Sequence, residues 1–287
     1  MAFSVSILRS ILISLSLYSR VPVPVFTWDE KDVSHAIAFL PLTGILIGAL
    51  SFVVIRISGA ARIPVPVAVI LLSLVPLLVT GGFHLDGFMD VTDARRSYLG
   101  RERKLQIMKD PHIGAFAVIG LLTYCMIWGA GLYQIVYSAM AAGAAAAGAG
   151  VAGSMAAGTS TVASGAAAGS ALALYPLIFI VSRALCGLTS VCFAKAKKDG
   201  MLRMEAGSNS RSDLILLTIE AVTGAALMIF LSPAGGALTI LGALLFTVYY
   251  RWMCNKEFGG VTGDTAGYYV TVSEEVMVVV LAIWTLL

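Results

Sequence analysis

The 287-residue chain is 59% hydrophobic and 12% charged, with a formal net charge of +3. A soluble domain carries about twice that charged share, so the composition excludes one, and so small a positive balance gives no footprint for nucleic acid. The chain reads as a single integral membrane catalytic domain over 1–287, an all-α polytopic helix bundle.

Residues 3–19 come first. Phe3, Ile7, Leu8, Ile11, Leu15 and Tyr18 form an apolar stripe, with Ser6, Arg9, Ser10 and Ser14 opposite. That pattern predicts an amphipathic helix at the interface or packed on the bundle; an eighth crossing here stays open. The chain continues as Arg20-Val21-Pro22-Val23-Pro24 without a small-residue cleavage pattern, so no cleaved leader is expected. Seven crossings are predicted at roughly 36–56, 64–82, 113–137, 171–193, 212–231, 235–252 and 270–287, each near the 20 apolar residues that cross a bilayer. With residue 35 in the cytoplasm, 83–112, 194–211 and 253–269 lie there too. Of the 19 Lys and Arg, 16 then share that side, which is the asymmetry of the positive-inside rule. The expectation is a multi-pass protein of the cell membrane with its charged loops in the cytoplasm.

The run from Gly81 to Asp93 follows the second crossing. On a helix, Asp86, Asp90 and Asp93 are spaced by four and three, so the three carboxylates share a face. Carboxylates so close raise one another's pKa unless a cation is shared, and Mg2+ prefers such oxygen ligands and bridges to phosphates. The plainer alternative is a solvated helix start favoured by the dipole. A basic stretch follows, with Arg95, Arg96, Arg101, Arg103 and Lys104 leading to Lys109-Asp110-Pro111. Carboxylates followed by cations suit a metal-bound pyrophosphate, although a topogenic loop also accounts for Arg101 to Lys104. Asp110-Pro111 could equally open a helix. Lys109 has no such structural explanation and is the loop lysine expected to contact phosphate.

Residues 141–170, rich in Ala and Gly and without charge, interrupt the pattern between two crossings. Glycine disfavours helix, so a partly helical or disordered loop outside the cytoplasm is expected. Farther on, Ser182-Arg183 lies inside an apolar span, where an arginine is costly and a functional candidate by default. Gly259-Gly260-Val261-Thr262-Gly263-Asp264 reads as a glycine-rich turn whose amides at Gly260, Thr262 and Gly263 could approach phosphate, with Asp264 as a further metal ligand. A simple interhelical turn is the alternative. Glu274 follows in the last span and, if it faces the bundle, could reach the same centre. Cys125, Cys186, Cys192 and Cys254 have no metal-ligand spacing and read as small buried hydrophobes.

These pieces together resemble the cobalamin synthase family, the adenosylcobinamide-GDP ribazoletransferases. The matching residues are Arg20-Val21-Pro22-Val23-Pro24, Phe39-Leu40-Pro41-Leu42 with Gly44 and Gly48, Gly82-Phe83-His84-Leu85-Asp86-Gly87 with Asp90 and Asp93, Ile107-Met108-Lys109-Asp110 with Ile113-Gly114, Ser182-Arg183, and Gly260-Val261-Thr262-Gly263-Asp264. The His-Leu-Asp-Gly and Met-Lys-Asp motifs in one polytopic chain are a specific combination; the glycine turns are not. Three features depart from the family pattern. The 141–170 segment looks inserted, Lys195 stands where the pattern has Arg and so lacks the bidentate fork, and Thr271 stands where Glu is frequent.

The resemblance implies transfer between adenosylcobinamide-GDP and α-ribazole, or its 5′-phosphate, with release of GMP. It implies Mg2+ held by Asp86, Asp90 and Asp264, with Asp93 as ligand or base, and Glu274 as a following acidic position. Lys109 would stabilise the pyrophosphate. Arg101, Arg103, Asp110, Lys195, Gly260, Thr262 and Gly263 would hold substrate. His84 would accept the attacking proton or orient the nucleophile, and Arg183 would assist. Membrane lipid is the implied surrounding, and self-association into a homo-oligomer is left open. Two rivals share the acidic face: a CDP-alcohol phosphotransferase, whose Asp-Gly-x-x-Ala-Arg opening this chain lacks, and a cation transporter, which would bury its acids midway along spans.

Overall fold

The computed structural model describes residues 2–24, 26–148, 159–196 and 211–287. They form helices α1 (Ala2–Tyr18), α2 (Glu30–Val33), α3 (Leu40–Ala60, entered through a short 3-10 turn at Ala36–Phe39), α4 (Val65–Thr80) and α5 (Phe83–Arg96). These are followed by α6 (Arg101–Ile107), α7 (Ala115–Gly148), α8 (Thr159–Cys192), α9 (Arg211–Leu231), α10 (Pro233–Glu257) and α11 (Gly263–Trp284). Six are long and apolar enough to cross a membrane: α3 with its entry turn, α7, α8, α9, α10 and α11. A seventh is reached if α4 and α5, which leaves it at a bend of 92°, are taken together as one broken span. The bend is made by Gly81 and Gly82, both at positive φ (64° and 85°), where a side chain would be strained. Because of this turn, α5 and its carboxylates run across the end of the bundle instead of through it.

The outward faces of the long helices are apolar and exposed, as lipid contact requires: Met126 is 75% exposed, Val248 70% and Phe230 82%. Inside, α8 is the central helix. Its Tyr175, Ile178 and Phe179 are fully buried, and Trp128 of α7 packs on both rings. The Trp128 indole N–H donates to Ser73 of α4 (3.2 Å). Helix α3 lies close against α8 because Gly44 and Gly48 have no side chains. A Cβ on Gly44 would come within 2.2 Å of the Phe179 carbonyl oxygen, and one on Gly48 within 2.5 Å of that of Pro176. Lipid offers no hydrophobic drive between helices, so this small-xxx-small approach gains its stability from backbone packing.

Three expectations change. Helix α1 turns its serines inward: Ser10 and Ser14 are buried together with Ile13 and Tyr18, whereas Ile7 and Leu8 of the apolar stripe are exposed. In a membrane setting small residues serve the packed face and large apolar ones meet lipid, so the amphipathic logic of a soluble protein reverses. The described part of 141–170 is helical. Residues 141–148 complete α7 and 159–170 open α8; 149–158 lie outside the described residues. Finally, α11 starts at Gly263, seven residues before the predicted span, because Thr262 and Thr265 form a reciprocal capping box. Of the four cysteines, Cys186 and Cys254 are buried, and Cys125 and Cys192 are exposed.

Candidate active site

Helix α5 has three faces with three uses. The face carrying Gly87 and Val91 packs on α11. There Gly87 meets the Asp264 backbone so closely that a Cβ would lie 2.7 Å from its carbonyl oxygen, and a Cβ on Gly267 would likewise lie 2.9 Å from the His84 carbonyl oxygen. This glycine-to-glycine seam places the N-terminus of α11, and with it Asp264, beside the first two turns of α5. Thr271 closes the seam by donating its hydroxyl to the His84 carbonyl (3.2 Å).

The acidic face carries Asp86, Asp90 and Asp93. Asp86 is exposed and the other two half-buried. Burial, and then the charges of Asp86, Asp264 and Asp93, push the Asp90 carboxyl up to about 6. Asp90 therefore feels the other three predicted aspartates as one acidic neighbourhood. Among the described residues, however, no three His, Cys, Asp or Glu side chains are gathered tightly enough to hold an ion as they stand.

Asp93 leads to the next loop. Its carboxylate lies against Gly114, where a Cβ would come within 2.1 Å of both carboxylate oxygens. That contact anchors the segment 108–114 beside the acidic face. Lys109 and Asp110 are exposed there. Asp110 accepts the His112 backbone N–H (3.0 Å) and contacts its ring Nδ1 (2.7 Å), bonds that hold its carboxyl below the ordinary value. Asp110-Pro111 does not open α7, which begins at Ala115. The pair builds a side-chain-closed turn before it.

The glycine turn comes from the far side of the sequence. Gly259 and Gly260 have φ of 83° and 148°, and Val261 pairs with Lys195 in a parallel bridge, its N–H donating to the Ala194 carbonyl (2.8 Å). Lys195 and Asp264 thus belong to one neighbourhood. The turn does not extend through Thr262 to Asp264 as predicted: Thr262 caps α11, its hydroxyl accepting the Thr265 N–H (3.1 Å), and Gly263 and Asp264 form its first turn. Asp264 consequently sits at a positive dipole end. Arg101 lies over Gly259 and donates to the Asn255 carbonyl (2.9 Å). Arg103 is exposed and donates to Gln106 (2.8 Å).

Three sequence-selected residues gather elsewhere. Arg183 of α8 and Glu274 of α11 form a buried ion pair, to which Ser182 adds a hydroxyl bond (2.8 Å). With His84 they line a cavity of about 370 Å³ between α4, α7, α8 and α11. His84 is buried between Tyr18 and Phe83, and its Nδ1 has no partner. Glu274 is therefore engaged by Arg183 inside the bundle, on a different side of α5 from the aspartates.

The third face of α5, with Phe88, Thr92 and Arg95, lines a separate cleft of about 690 Å³. Arg95 donates to the hydroxyls of Tyr268 (2.9 Å) and Tyr249 (2.8 Å), and Glu257 joins it to Lys104 (2.8 Å). No sequence spacing announced Glu257, which lies some 150 residues from both partners.

The model of a family described as "Cobalamin-5-phosphate synthase" matches residues 10–172 and 141–282. A protein of Lachnoclostridium phytofermentans named adenosylcobinamide-GDP ribazoletransferase is 33% identical over 92% of this chain and 89% of its own length. Proteins of the same name from Clostridium perfringens strain 13 (29% identical, 96% of this chain and 98% of theirs) and Listeria welshimeri (29%, 91% and 92%) are also similar. No solved structure matches the chain significantly.

Proposed function

Because this chain belongs to the cobalamin-5-phosphate synthase family, we propose that it joins adenosylcobinamide-GDP to α-ribazole or its 5′-phosphate, releasing GMP, in the late nucleotide-loop assembly of cobalamin. The observation that carries the chemistry is the neighbouring set Asp86, Asp90, Asp93 and Asp264, in which burial first and then the charges of the other three raise Asp90. An all-oxygen set of this kind suits Mg2+. When bound, the ion would neutralise pyrophosphate oxygens and stabilise charge developing in phosphoryl transfer.

The chain's own residues do the rest. Asp86, Asp90 and Asp264 supply carboxylate ligands, and Asp93 serves as a further ligand or as the base. Lys109, held near the acidic face by the Gly114 contact, takes up charge on the pyrophosphate. Lys195 and the Gly260 turn bound the other side. The ribazole hydroxyl oxygen bonds to the phosphorus attached to cobinamide, the phosphoanhydride bond breaks, GMP carries away the electron pair, and the hydroxyl proton passes to a carboxylate. His84, buried on another face, is assigned no proton transfer. Together with Arg183 and Glu274 it forms the polar floor beneath the helices that carry the site. The proposed setting is the plasma membrane with this charged end in the cytoplasm.

The test is GMP release by protein reconstituted in lipid with adenosylcobinamide-GDP, α-ribazole and Mg2+. Asp86→Asn and Asp90→Asn should each lower turnover by at least about 100-fold, the scale of losing a preorganised electrostatic group, without changing membrane insertion. Near-wild-type rates in both variants at low Mg2+ would remove the aspartates from the mechanism, and GMP release absent from the wild type would remove the reaction itself.

A further inference from the structure

The 690 Å³ cleft is not explained by the proposed chemistry. Its mouth, at the charged end of the bundle, is ringed by Arg95, Arg96, Arg101, Lys104 and Lys256. Glu257 engages Arg95 and Lys104, and Arg101 is held over the glycine turn. Five cations thus face two carboxylates, Glu257 at the mouth and Glu275 deeper down. Lys256 rests over the Trp252 ring at 4.6 Å, and Trp252 and Tyr249 are both exposed on α10. Exposed aromatic rings beside cations mark the headgroup level of a membrane protein.

Below the mouth the lining changes character. Phe116, Ile119 and Ile127 of α7 form the outer wall and are 44%, 55% and 42% exposed. From Phe116 to Ile127 the helix descends about 16 Å at 1.5 Å per residue, close to half the ~30 Å hydrocarbon thickness. The wall is continuous with the lipid-facing surface of α7, where Leu122 and Met126 are 59% and 75% exposed. The cleft is therefore basic at its mouth and apolar along its outer wall for about the depth of one leaflet, with Thr92, Thr123 and Glu275 also in the lining, and it is open to the side.

We propose that this cleft is a binding site for one anionic phospholipid, with its phosphate among Arg96 and Lys256 and an acyl chain along Phe116, Ile119 and Ile127. The polarity gradient selects a lipid over a soluble anion, which would leave the apolar wall empty. The surplus cationic charge selects an anionic over a zwitterionic headgroup. A bound lipid would bridge α5, α7 and α10, three of the helices surrounding the active site, and couple their spacing to membrane composition.

The experiment is native mass spectrometry of full-length protein released from bilayers of equal phosphatidylglycerol and phosphatidylcholine. Wild type should retain one phosphatidylglycerol in preference to phosphatidylcholine. Arg96→Ala with Lys256→Ala should reduce that preference about 30-fold, the scale of two interfacial cations. Ile119→Trp, which keeps every charge and fills the apolar wall, should lower retention of the lipid as well, so the proposal remains testable if the double variant does not fold. Equal retention of the two lipids by wild type, or unchanged retention in both variants, would overturn the site. So would displacement of the phosphatidylglycerol by millimolar inorganic phosphate or GDP, which would assign the cleft to a soluble anion. None of these readouts depends on the transfer reaction.

Discussion

At the scale of single residues, the period of the helix made Asp86, Asp90 and Asp93 legible before any fold was known, because spacings of four and three leave no alternative face. Asp264 was legible as a chemical type but misplaced in a turn, since the cap that sets it in a helix depends on the Thr262–Thr265 pair. Arg183 was singled out as a costly charge and Glu274 as a candidate carboxylate, but not as partners: they lie 91 residues apart, and only packing of α8 on α11 brings them together. The pair yields a prediction. Glu274→Gln leaves Arg183 buried without compensation and should cost about 3 kcal/mol of stability, whereas Arg183→Met combined with Glu274→Met should recover most of it. Thermal unfolding in one detergent checks this. Additive losses in the double variant would mean the two residues act separately, as a ligand role for Glu274 would require.

At the scale of elements, apolar length located six crossings, and a seventh where α4 and α5 count as one broken span, but could not set their ends. Residues 141–170 show why. Their glycines argue for a loop and their alanines for a helix, and the balance is settled by tertiary contacts absent from the local sequence. Ala167 and Ala168 are buried, and Ser170 accepts a hydrogen bond from the Trp284 indole at 3.3 Å. This divides the segment functionally. Replacing only 149–158 by a Gly/Ser linker should preserve GMP release within about twofold, because it leaves Ala167, Ala168 and Ser170 in place and changes chain length little. Replacing the whole of 141–170 should lower the melting temperature by removing the packed start of α8. Equal melting temperatures for the two replacements would show that the α8 extension contributes nothing. The bend between α4 and α5 was equally hidden: Gly81-Gly82 marked a break, but neither residue states that the next helix turns by 92°.

At the scale of the whole molecule, the proposed site needs α5, the 108–114 loop and the N-terminus of α11 at one end of the bundle. Four crossings, α7 to α10, separate the last two, so they return to the same side. In the proposed orientation this end lies in the cytoplasm, where the positive-inside rule would put its basic residues. Single cysteines near residues 100, 200 and 262 should be labelled by an impermeant reagent only from the cytoplasmic face, and one near 155 only from the opposite face. Labelling of 100 and 262 from opposite faces would break the site apart.

The central claim is that carboxylates from α5 and α11, distant in sequence, share one divalent ion. Mn2+ binding to the purified, lipid-embedded protein, followed by electron paramagnetic resonance, tests it without reference to turnover. Wild type should bind Mn2+ tightly. Asp90→Asn and Asp264→Asn should each weaken that binding at least about tenfold, the scale of losing one ligand or its support. The double variant should be little worse than either single one, because both remove the same ion. Undiminished Mn2+ binding in Asp264→Asn, with loss confined to Asp90→Asn, would contradict a shared centre.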